Sequence, residues 1–334
     1  MDHIALIDMK KFIVFAIFTL SLLQSNTSFG EALLTAQEIN AAEFTGELPA
    51  GLSAVTTKLQ VLLDRAGANP GVIDGVSGEN LAKAIQSYEE MRGLPPTGVL
   101  TPELWQQLQS EEPVIKSYTI GQSDVERIVA SIPDDYVEKS KMQWLGYTSA
   151  AEGIAEKFHM DIDFFKLING GENFTLGQTV LVTDPGVQRK VEITRIIADK
   201  VNKRLVIYGE GGKPDIVYPA TIGSDATPSP EGTHEVRAIA EFPTYSYNPD
   251  VNFKQGNNGE KLTIPPGPNG PVGSTWIDLT EPTYGIHGTP EPAQISKTSS
   301  HGCIRLTNWD AAELAKLVKP GDKVIFVDGM TTLY

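Results

Sequence analysis

The chemistry of this chain centres on its one cysteine, Cys303, which follows Ser300, His301 and Gly302. A thiol is a poor nucleophile until it loses its proton, and a neighbouring imidazole can accept that proton and later return it to a leaving group. His287 lies 16 positions upstream of the cysteine. That spacing allows a strand, a polar loop and a second strand to bring the cysteine back beside the histidine. The residue types therefore predict acyl transfer by a cysteine nucleophile, with His287 as its base.

Acyl transfer also needs hydrogen-bond donors for the oxyanion, and backbone N–H groups beside a glycine supply them at close range. Glycine follows His287 and His301, as Gly288 and Gly302. By composition alone the pair could be structural, because an isolated histidine is more often structural and an isolated cysteine is more often a small buried side chain. One cysteine and dispersed histidines match no recognised zinc ligand set, so we expect neither a metal nor another cofactor.

The string Ser-His-Gly-Cys-Ile-Arg-Leu at residues 300–306, with His-Gly upstream, resembles the signature of the YkuD-type L,D-transpeptidase catalytic domain. Residues 227–232 are similar to the Thr-Pro-x-Gly region of that family, with an insertion. The resemblance spans residues 188–330. It implies a mainly antiparallel β-domain, the YkuD-type β-sandwich, with few helices.

The resemblance also implies a reaction. Cys303 would attack the carbonyl of an L-to-D bond in a peptidoglycan stem tetrapeptide and release D-alanine. His287 would be the general base, and the backbone carbonyl of Gly288 would orient its imidazole. Backbone amides of Gly302 and Cys303, at the turn that includes His301, would form the oxyanion hole.

Three further residues match positions near the substrate in that family: Tyr284, His301 and Arg305. The planar fork of Arg305 suits a substrate carboxylate, and a structural salt bridge is the alternative for this side chain. We expect the Ser300 hydroxyl to cap the turn rather than to take part in the reaction. No role in the reaction is expected for His159, which follows a helix and suits an exposed position, or for His234, which lies on a predicted strand in the core or at a sheet edge.

The acyl-enzyme has several possible acceptors: an amine of another stem peptide, a lysine of a wall-attached lipoprotein, or water. Attack by water would make the protein an L,D-carboxypeptidase, and the outcome depends on how well the cleft excludes water. A non-catalytic wall-binding protein is the other alternative, but it would be expected to lose Cys303 or His287. A papain-like protease is disfavoured because its cysteine precedes its histidine in the chain.

The elements that carry this site follow two smaller predicted units, so the predicted fold class is multidomain. The first unit, residues 54–110, has apolar side chains on one face of each of three predicted helices. These are Leu59, Leu62 and Leu63, then Leu81, Ile85 and Tyr88, then Leu104, Trp105 and Leu108. Thr101 and Pro102 mark the start of the third helix. With its glycines at positions 75, 78, 93 and 98 the unit resembles the three-helix peptidoglycan-binding module; an unrelated helical bundle is the alternative.

The second unit, residues 146–185, is predicted to be α+β. A capping box begins at Ser149, Asp161 caps a second helix that ends at Gly170, and a closing strand follows at residues 176–182. The unit resembles a degenerate LysM module, a glycan-binding β-α-α-β fold, although its first strand is poorly marked. A structural spacer is the alternative.

Residues 111–145, between the first two units, are predicted to be a polar connection with little periodicity. The third unit is the predicted catalytic domain. Within it, strands are predicted at residues 191–197, 204–208, 215–222, 232–238 and 323–327. A helix is predicted after the cysteine, with Asn308 as its cap. The stretch 255–273, rich in glycine, proline and asparagine, is predicted to be a long surface loop.

Charge and the N-terminus bear on partners and location. The formal net charge of −15 argues against nucleic acid, because phosphate binding needs clustered lysine and arginine. Lys10 and Lys11 precede the apolar run at 12–23, and small residues at 28 and 30 flank Phe29, which together predict a signal peptide over residues 1–30. We therefore expect an exported protein of the periplasm or cell wall; a retained N-terminal anchor is the alternative.

Overall fold

The computed structural model describes residues 34–224, 227–251 and 253–329. The predicted signal peptide lies outside these ranges. Within them, no helix is long and apolar enough to cross a bilayer.

The front of the described chain, up to residue 183, is mainly helical. Its elements are α1 (Ala36–Asn40), α2 (Ala54–Arg65), α3 (Glu79–Arg92), α4 (Pro102–Leu108), β1 (Ile115–Thr119), α5 (Gln122–Val125), α6 (Tyr136–Ser140), α7 (Ala150–Lys157), α8 (Ile162–Asn169) and β2 (Thr179–Thr183).

The predicted helices of the front region are present, and their predicted apolar faces are buried. Thr101 caps α4 with Pro102 at its first turn, and Asp161 caps α8, which ends at the left-handed Gly170. Only one of the two hydrogen bonds of the predicted capping box of α7 is present. Ser149 Oγ accepts the Glu152 amide, but the Glu152 carboxylate accepts the amide of Thr148 instead of that of Ser149.

The connection at 111–145 differs from its prediction, because it contains strand β1. This strand pairs antiparallel with β2, from Ile115 opposite Thr183 to Thr119 opposite Thr179. The side chain of Asn40 joins the pair to α1, since its Oδ1 accepts the amides of Val114 and Ile115. Buried side chains of both predicted front units consequently belong to one continuous apolar core.

The remaining elements build the β-rich part of the chain. They are β3 (Arg195–Asp199), β4 (Arg204–Tyr208), β5 (Pro214–Pro219), β6 (Thr221–Ile222), β7 (Gly232–Glu241), β8 (Tyr245–Tyr247), β9 (Leu262–Ile264), β10 (Thr275–Leu279), β11 (Gly285–His287), a 3-10 turn (Pro292–Gln294), β12 (Ile304–Arg305), α9 (Asn308–Leu317) and β13 (Lys323–Val327).

Among the described residues, hydrogen bonds join nine of these strands into one sheet in the order β5-β4-β3-β13-β7-β10-β11-β12-β6, and β8 and β9 form a separate antiparallel pair. Most pairs are antiparallel, as predicted; β3 with β13 and β11 with β12 are parallel. Side chains from both halves of the sheet share one core with α9. The sheet therefore encloses its core from two sides.

Three predicted details of this part are wrong. The single strand predicted at 215–222 is divided between β5 and β6, which lie at opposite edges of the sheet. The cap of α9 is Thr307, whose Oγ1 accepts the amide of Asp310, so Asn308 is the first helical residue and its side chain is released for other contacts. The stretch 255–273 is not simply a surface loop: it contains β9, and most of residues 264–273 are buried. Gly267 allows this burial, because a Cβ there would overlap the Leu145 backbone.

The front region is bonded directly to the sheet. The backbone of Gly67 and Asn69 exchanges two hydrogen bonds with Val217 on the edge strand β5, at 2.8 and 2.9 Å. Such pairing covers an edge that would otherwise expose backbone groups. Arg204 of β4 forms a bidentate ion pair with Glu90 of α3, with N–O distances of 2.8 and 3.1 Å.

A buried acid makes a further link between the two regions. Glu156 of α7 accepts hydrogen bonds from Asn308 Nδ2 at 2.9 Å and from the Tyr147 hydroxyl at 3.0 Å. Burial raises the pKa of this carboxyl from 4.5 to about 8, although both hydrogen bonds act to lower it. Glu156 is therefore protonated at neutral pH.

This raised pKa predicts a pH-dependent stability. Between pH 4.5 and 8 the folded chain keeps a proton that the unfolded chain loses, so this group's contribution to stability falls as the pH rises through that window. Glu156→Gln imitates the protonated acid and removes the dependence. We expect the variant to gain about 4 kcal/mol of unfolding free energy over the wild type at pH 8 and almost nothing at pH 4.5.

Urea unfolding at both pH values measures this difference, and Glu210→Gln, at an exposed carboxyl, is the matched control. An equal difference at the two pH values would contradict the assigned protonation of Glu156.

Candidate active site

The pairing of β11 with β12 positions the predicted catalytic residues. In this parallel pair Ile286 lies opposite Ile304 and His287 opposite Arg305. Both isoleucines are fully buried in the core. Because side chains alternate between the two faces of a strand, His287, Arg305 and Cys303 all lie on the other face.

That face borders a cavity of about 580 Å³. All the predicted side chains of the site reach it: Tyr284, His287, His301, Cys303 and Arg305. Thr227 and Pro228, from the predicted Thr-Pro region, complete part of its wall. In the described part of the chain, no group of three or more His, Cys, Asp or Glu side chains is arranged to hold a metal ion.

His287 has a defined orientation. Its Nδ1 lies 2.7 Å from the carbonyl oxygen of Gly288, and since a carbonyl only accepts, Nδ1 carries the proton. The Nε2 lone pair is then the one able to accept a proton. The ring is 5% exposed and stacks on Trp276, its cross-strand neighbour, at a centroid distance of 5.6 Å.

The Cys303 thiol contacts a different partner. Its Sγ donates to the carbonyl of Thr283 at 3.7 Å, and no hydrogen bond to His287 is present among the described residues. Thr283 has a φ of 73°, in the left-handed region that a β-branched residue rarely adopts. Thr283 was not predicted from the sequence, because no local residue pattern marks a residue with a strained backbone.

Burial makes both members of the pair neutral at rest. It lowers the pKa of His287 to about 4, and the nearby charge of Arg305 acts in the same direction. Burial also raises the pKa of the Cys303 thiol, which an amide hydrogen bond from Gly285 and the Arg305 charge only partly oppose. The thiol is therefore protonated at neutral pH.

The turn that carries Cys303 is held by serine side chains. Ser300 Oγ accepts the amide of Gly223 at 2.7 Å and donates to the carbonyl of Cys303 at 2.6 Å. Ser229 Oγ donates to the carbonyl of Gly302 at 2.7 Å. Ser300 therefore caps the turn, as expected from the sequence.

Both the backbone conformation at position 302 and a close neighbouring side chain require glycine there. Its φ is 107°, and a Cβ at this position would lie 2.5 Å from the Tyr284 ring. Its amide donates a long hydrogen bond, of 3.3 Å, to Ser300 Oγ.

The three residues predicted to contact substrate have different surroundings. Arg305 Nη1 donates to the carbonyl of Ser299 at 3.3 Å, and within the described ranges its guanidinium forms no ion pair, so the salt-bridge alternative is not seen. His301 stacks on Phe253 at a centroid distance of 4.2 Å. The Tyr284 hydroxyl lies 3.5 Å from the carbonyl of Pro228.

Asn308 supports the site from behind. Its Oδ1 accepts the amide of Ser274 at 3.0 Å, and its Nδ2 donates to Glu156 and to the carbonyl of Pro268. A Cβ at Gly288 would overlap Asn308 Oδ1. The sequence marked Asn308 as a helix cap, and its contact with Gly288 arises only from the tertiary fold.

The neutral resting pair predicts the pH dependence of thiol alkylation. Because burial raises the pKa of Cys303, the iodoacetamide rate of the native protein should still be increasing above pH 8.5, the ordinary thiol pKa. The urea-unfolded chain, which has one thiol, is the control and should titrate near that value. A native rate that is already constant at pH 7 would indicate a preformed thiolate and contradict this description.

The close contact behind Gly288 predicts a loss of stability. Gly288→Ala should destabilise the fold by about 1–3 kcal/mol, because the added methyl must displace Asn308. Gly211→Ala is the matched control, since a Cβ there meets nothing within 4 Å. Thermal unfolding of both variants measures the effect. Equal midpoints would show that Asn308 moves aside without loss of stability.

Two family models match the chain. Residues 193–326 match the L,D-transpeptidase catalytic domain, and residues 54–108 match a putative peptidoglycan binding domain. Among curated proteins, the probable L,D-transpeptidase YbiS of Escherichia coli is 29% identical over 189 residues, which cover 55% of this chain and 61% of that protein.

A solved L,D-transpeptidase from Stackebrandtia nassauensis is 14% identical, and the match covers 86% of this chain and 98% of that one, with a TM-score of 0.33. The putative L,D-transpeptidase YkuD of Bacillus licheniformis is 32% identical over 157 residues, which cover 47% of this chain and 78% of that protein. The chain therefore belongs to the L,D-transpeptidase family with a YkuD-type catalytic domain.

Proposed function

We propose that this protein is a peptidoglycan L,D-transpeptidase that works through an acyl-enzyme on Cys303. One observation carries the proposal: Cys303 and His287 border one cavity from one face of a parallel strand pair, and the Gly288 carbonyl leaves His287 Nε2 as the proton acceptor. Family membership supplies the substrate class, the stem tetrapeptide.

The first half-reaction forms a thioester. Cys303 Sγ attacks the carbonyl carbon of the L-to-D bond while its proton passes to His287 Nε2. The C–N bond then breaks, and His287 returns the proton to the leaving amine of D-alanine. Because burial keeps both groups neutral at rest, the imidazolium exists only during the reaction, when the Gly288 carbonyl stabilises it.

The second half-reaction transfers the acyl group to an amine. The amine attacks the thioester and gives its proton to His287, the C–S bond breaks, and His287 returns the proton to the sulfur. We propose the amine of another stem peptide as acceptor. A lysine of a wall-attached lipoprotein is an alternative with the same chemistry, and attack by water would be carboxypeptidase activity.

The amides of Gly302 and Cys303 are our proposed oxyanion hole. The Gly302 amide is available at low cost, because its present bond to Ser300 Oγ is long at 3.3 Å. Arg305, His301 and Tyr284 are the proposed substrate contacts, since all three border the cavity beside the cysteine.

The front region is proposed to hold the enzyme on the cell wall. Residues 54–108 match the peptidoglycan-binding model. Strands β1 and β2 are antiparallel and enclose helices α7 and α8, as in the β-α-α-β order of a LysM module, but the short helices α5 and α6 are inserted after β1. We propose a glycan-binding role for this unit and, from the N-terminal residues, export to the periplasm or cell wall.

Product analysis tests the proposal. With a tetrapeptide muropeptide, mass spectrometry should detect free D-alanine, a cross-linked dimer and a tripeptide thioester on Cys303. Cys303→Ala should abolish all three products. His287→Gln should slow them by about 10²–10⁴-fold, and His234→Gln, outside the cavity, is the matched control.

D-alanine release without dimer at high acceptor concentration would identify a carboxypeptidase. Equal product formation by Cys303→Ala would refute the cysteine mechanism.

A further inference from the structure

Helix α6 belongs to the front region of the chain, yet it borders the catalytic cavity. Its first residue, Tyr136, faces the same space as Cys303, His287 and Arg305. The helix is short, and Asp135 caps it by accepting the amides of Val137 and Glu138. The segment predicted to be a mere polar connection therefore supplies part of the wall of the site.

Aromatic packing holds the Tyr136 ring in place. The ring makes edge contacts with Tyr247, Phe253 and Tyr245 at centroid distances of 5.1, 5.9 and 6.2 Å. Edge contacts of this kind are favourable, and three of them restrict the orientation of the ring.

Hydrogen bonds to backbone groups also hold this segment in place. The amide of Tyr136 donates to Gln255 Oε1 at 3.3 Å, and Gln255 Nε2 donates to the carbonyl of Asp134 at 3.4 Å. Further along, the amide of Leu145 donates to the carbonyl of Pro266 at 2.9 Å. The position of α6 is therefore set by contacts with the 245–266 region, which itself borders the cavity.

The Tyr136 hydroxyl is an available donor. In the described part of the chain it makes no hydrogen bond, whereas the hydroxyl of its neighbour Tyr247 accepts the amide of Gln255. Burial raises the pKa of Tyr136 to about 12, against the lowering effect of the Arg305 charge. The phenol therefore keeps its proton at neutral pH.

The charge of the cavity indicates which kind of ligand group the Tyr136 hydroxyl binds. Arg305 is the charged residue of the described lining, which includes no aspartate or glutamate, although the whole chain has a net charge of −15. Arg305 uses one of its five N–H groups on Ser299. A guanidinium without an acidic partner, in a cavity with few competing charges, suits a planar anion such as a carboxylate.

We propose that the Tyr136 hydroxyl, together with the Arg305 guanidinium, binds a carboxylate of the donor peptide, so that α6 is a specificity element of the enzyme. This inference rests on the proposed transpeptidase function. It makes substrate selection a joint property of the β-domain and the segment between the two front units.

Tyr136→Phe tests the proposal, because phenylalanine keeps the ring packing and removes only the hydroxyl. The substrates are the stem tetrapeptide and analogues in which one carboxylate at a time is replaced by a carboxamide. We expect Tyr136→Phe to lower kcat/KM for the unmodified peptide by roughly tenfold, mainly through KM. For one of the carboxamides the wild type and the variant should be equal, because the bond is already lost.

Tyr118→Phe is the matched control, since this hydroxyl lies on β1 and outside the cavity lining. Thermal midpoints of both variants check that each protein is folded. Failure of the wild type to form any product would refute the proposed function. An active wild type with unchanged kcat/KM in Tyr136→Phe, or an equal loss for every analogue, would refute the role of Tyr136.

Discussion

The parallel register of β11 with β12 is the constraint on which the site depends. Two isoleucines, Ile286 and Ile304, are buried on the inner face, and this burial forces the alternate residues of both strands to face the cavity. A shift of one residue in either strand would place a histidine or a cysteine in the apolar core. The hydrophobic core therefore sets which way the reacting side chains point.

The same core makes the reacting pair neutral. The ring of His287 is enclosed by the sheet and by Trp276, and burial disfavours its charged form. The carbonyl of Gly288 offsets part of that cost and fixes the tautomer. Asn308 packs directly against Gly288, and Glu156 of the front region binds Asn308. A continuous set of contacts thus extends from the front helices to His287, the proposed general base.

Much of the fold could be predicted from local patterns. Helices α2, α3 and α4 follow from the spacing of their apolar residues, and β4 lies at its predicted residues. Strand β1 could not be found in this way, because its partner β2 lies about 60 residues away and its own burial pattern has a single buried position. The burial of most of the 264–273 segment was missed for a related reason: its glycines suggest a loop, and only contacts with distant residues, Leu145 and Asn308, bury them.

By itself, the sequence determined the chemistry: a single thiol, a histidine upstream, glycines beside both, and the arginine that follows. These are local features, so residue types and short spacings are sufficient to identify them. Only the tertiary structure decided that the thiol contacts Thr283 and that Asn308 packs against Gly288. It also decided that Tyr136 lines the same cavity as Arg305. Those relations join residues from distant parts of the chain, and they exist only because burial of separate apolar faces brings the elements together.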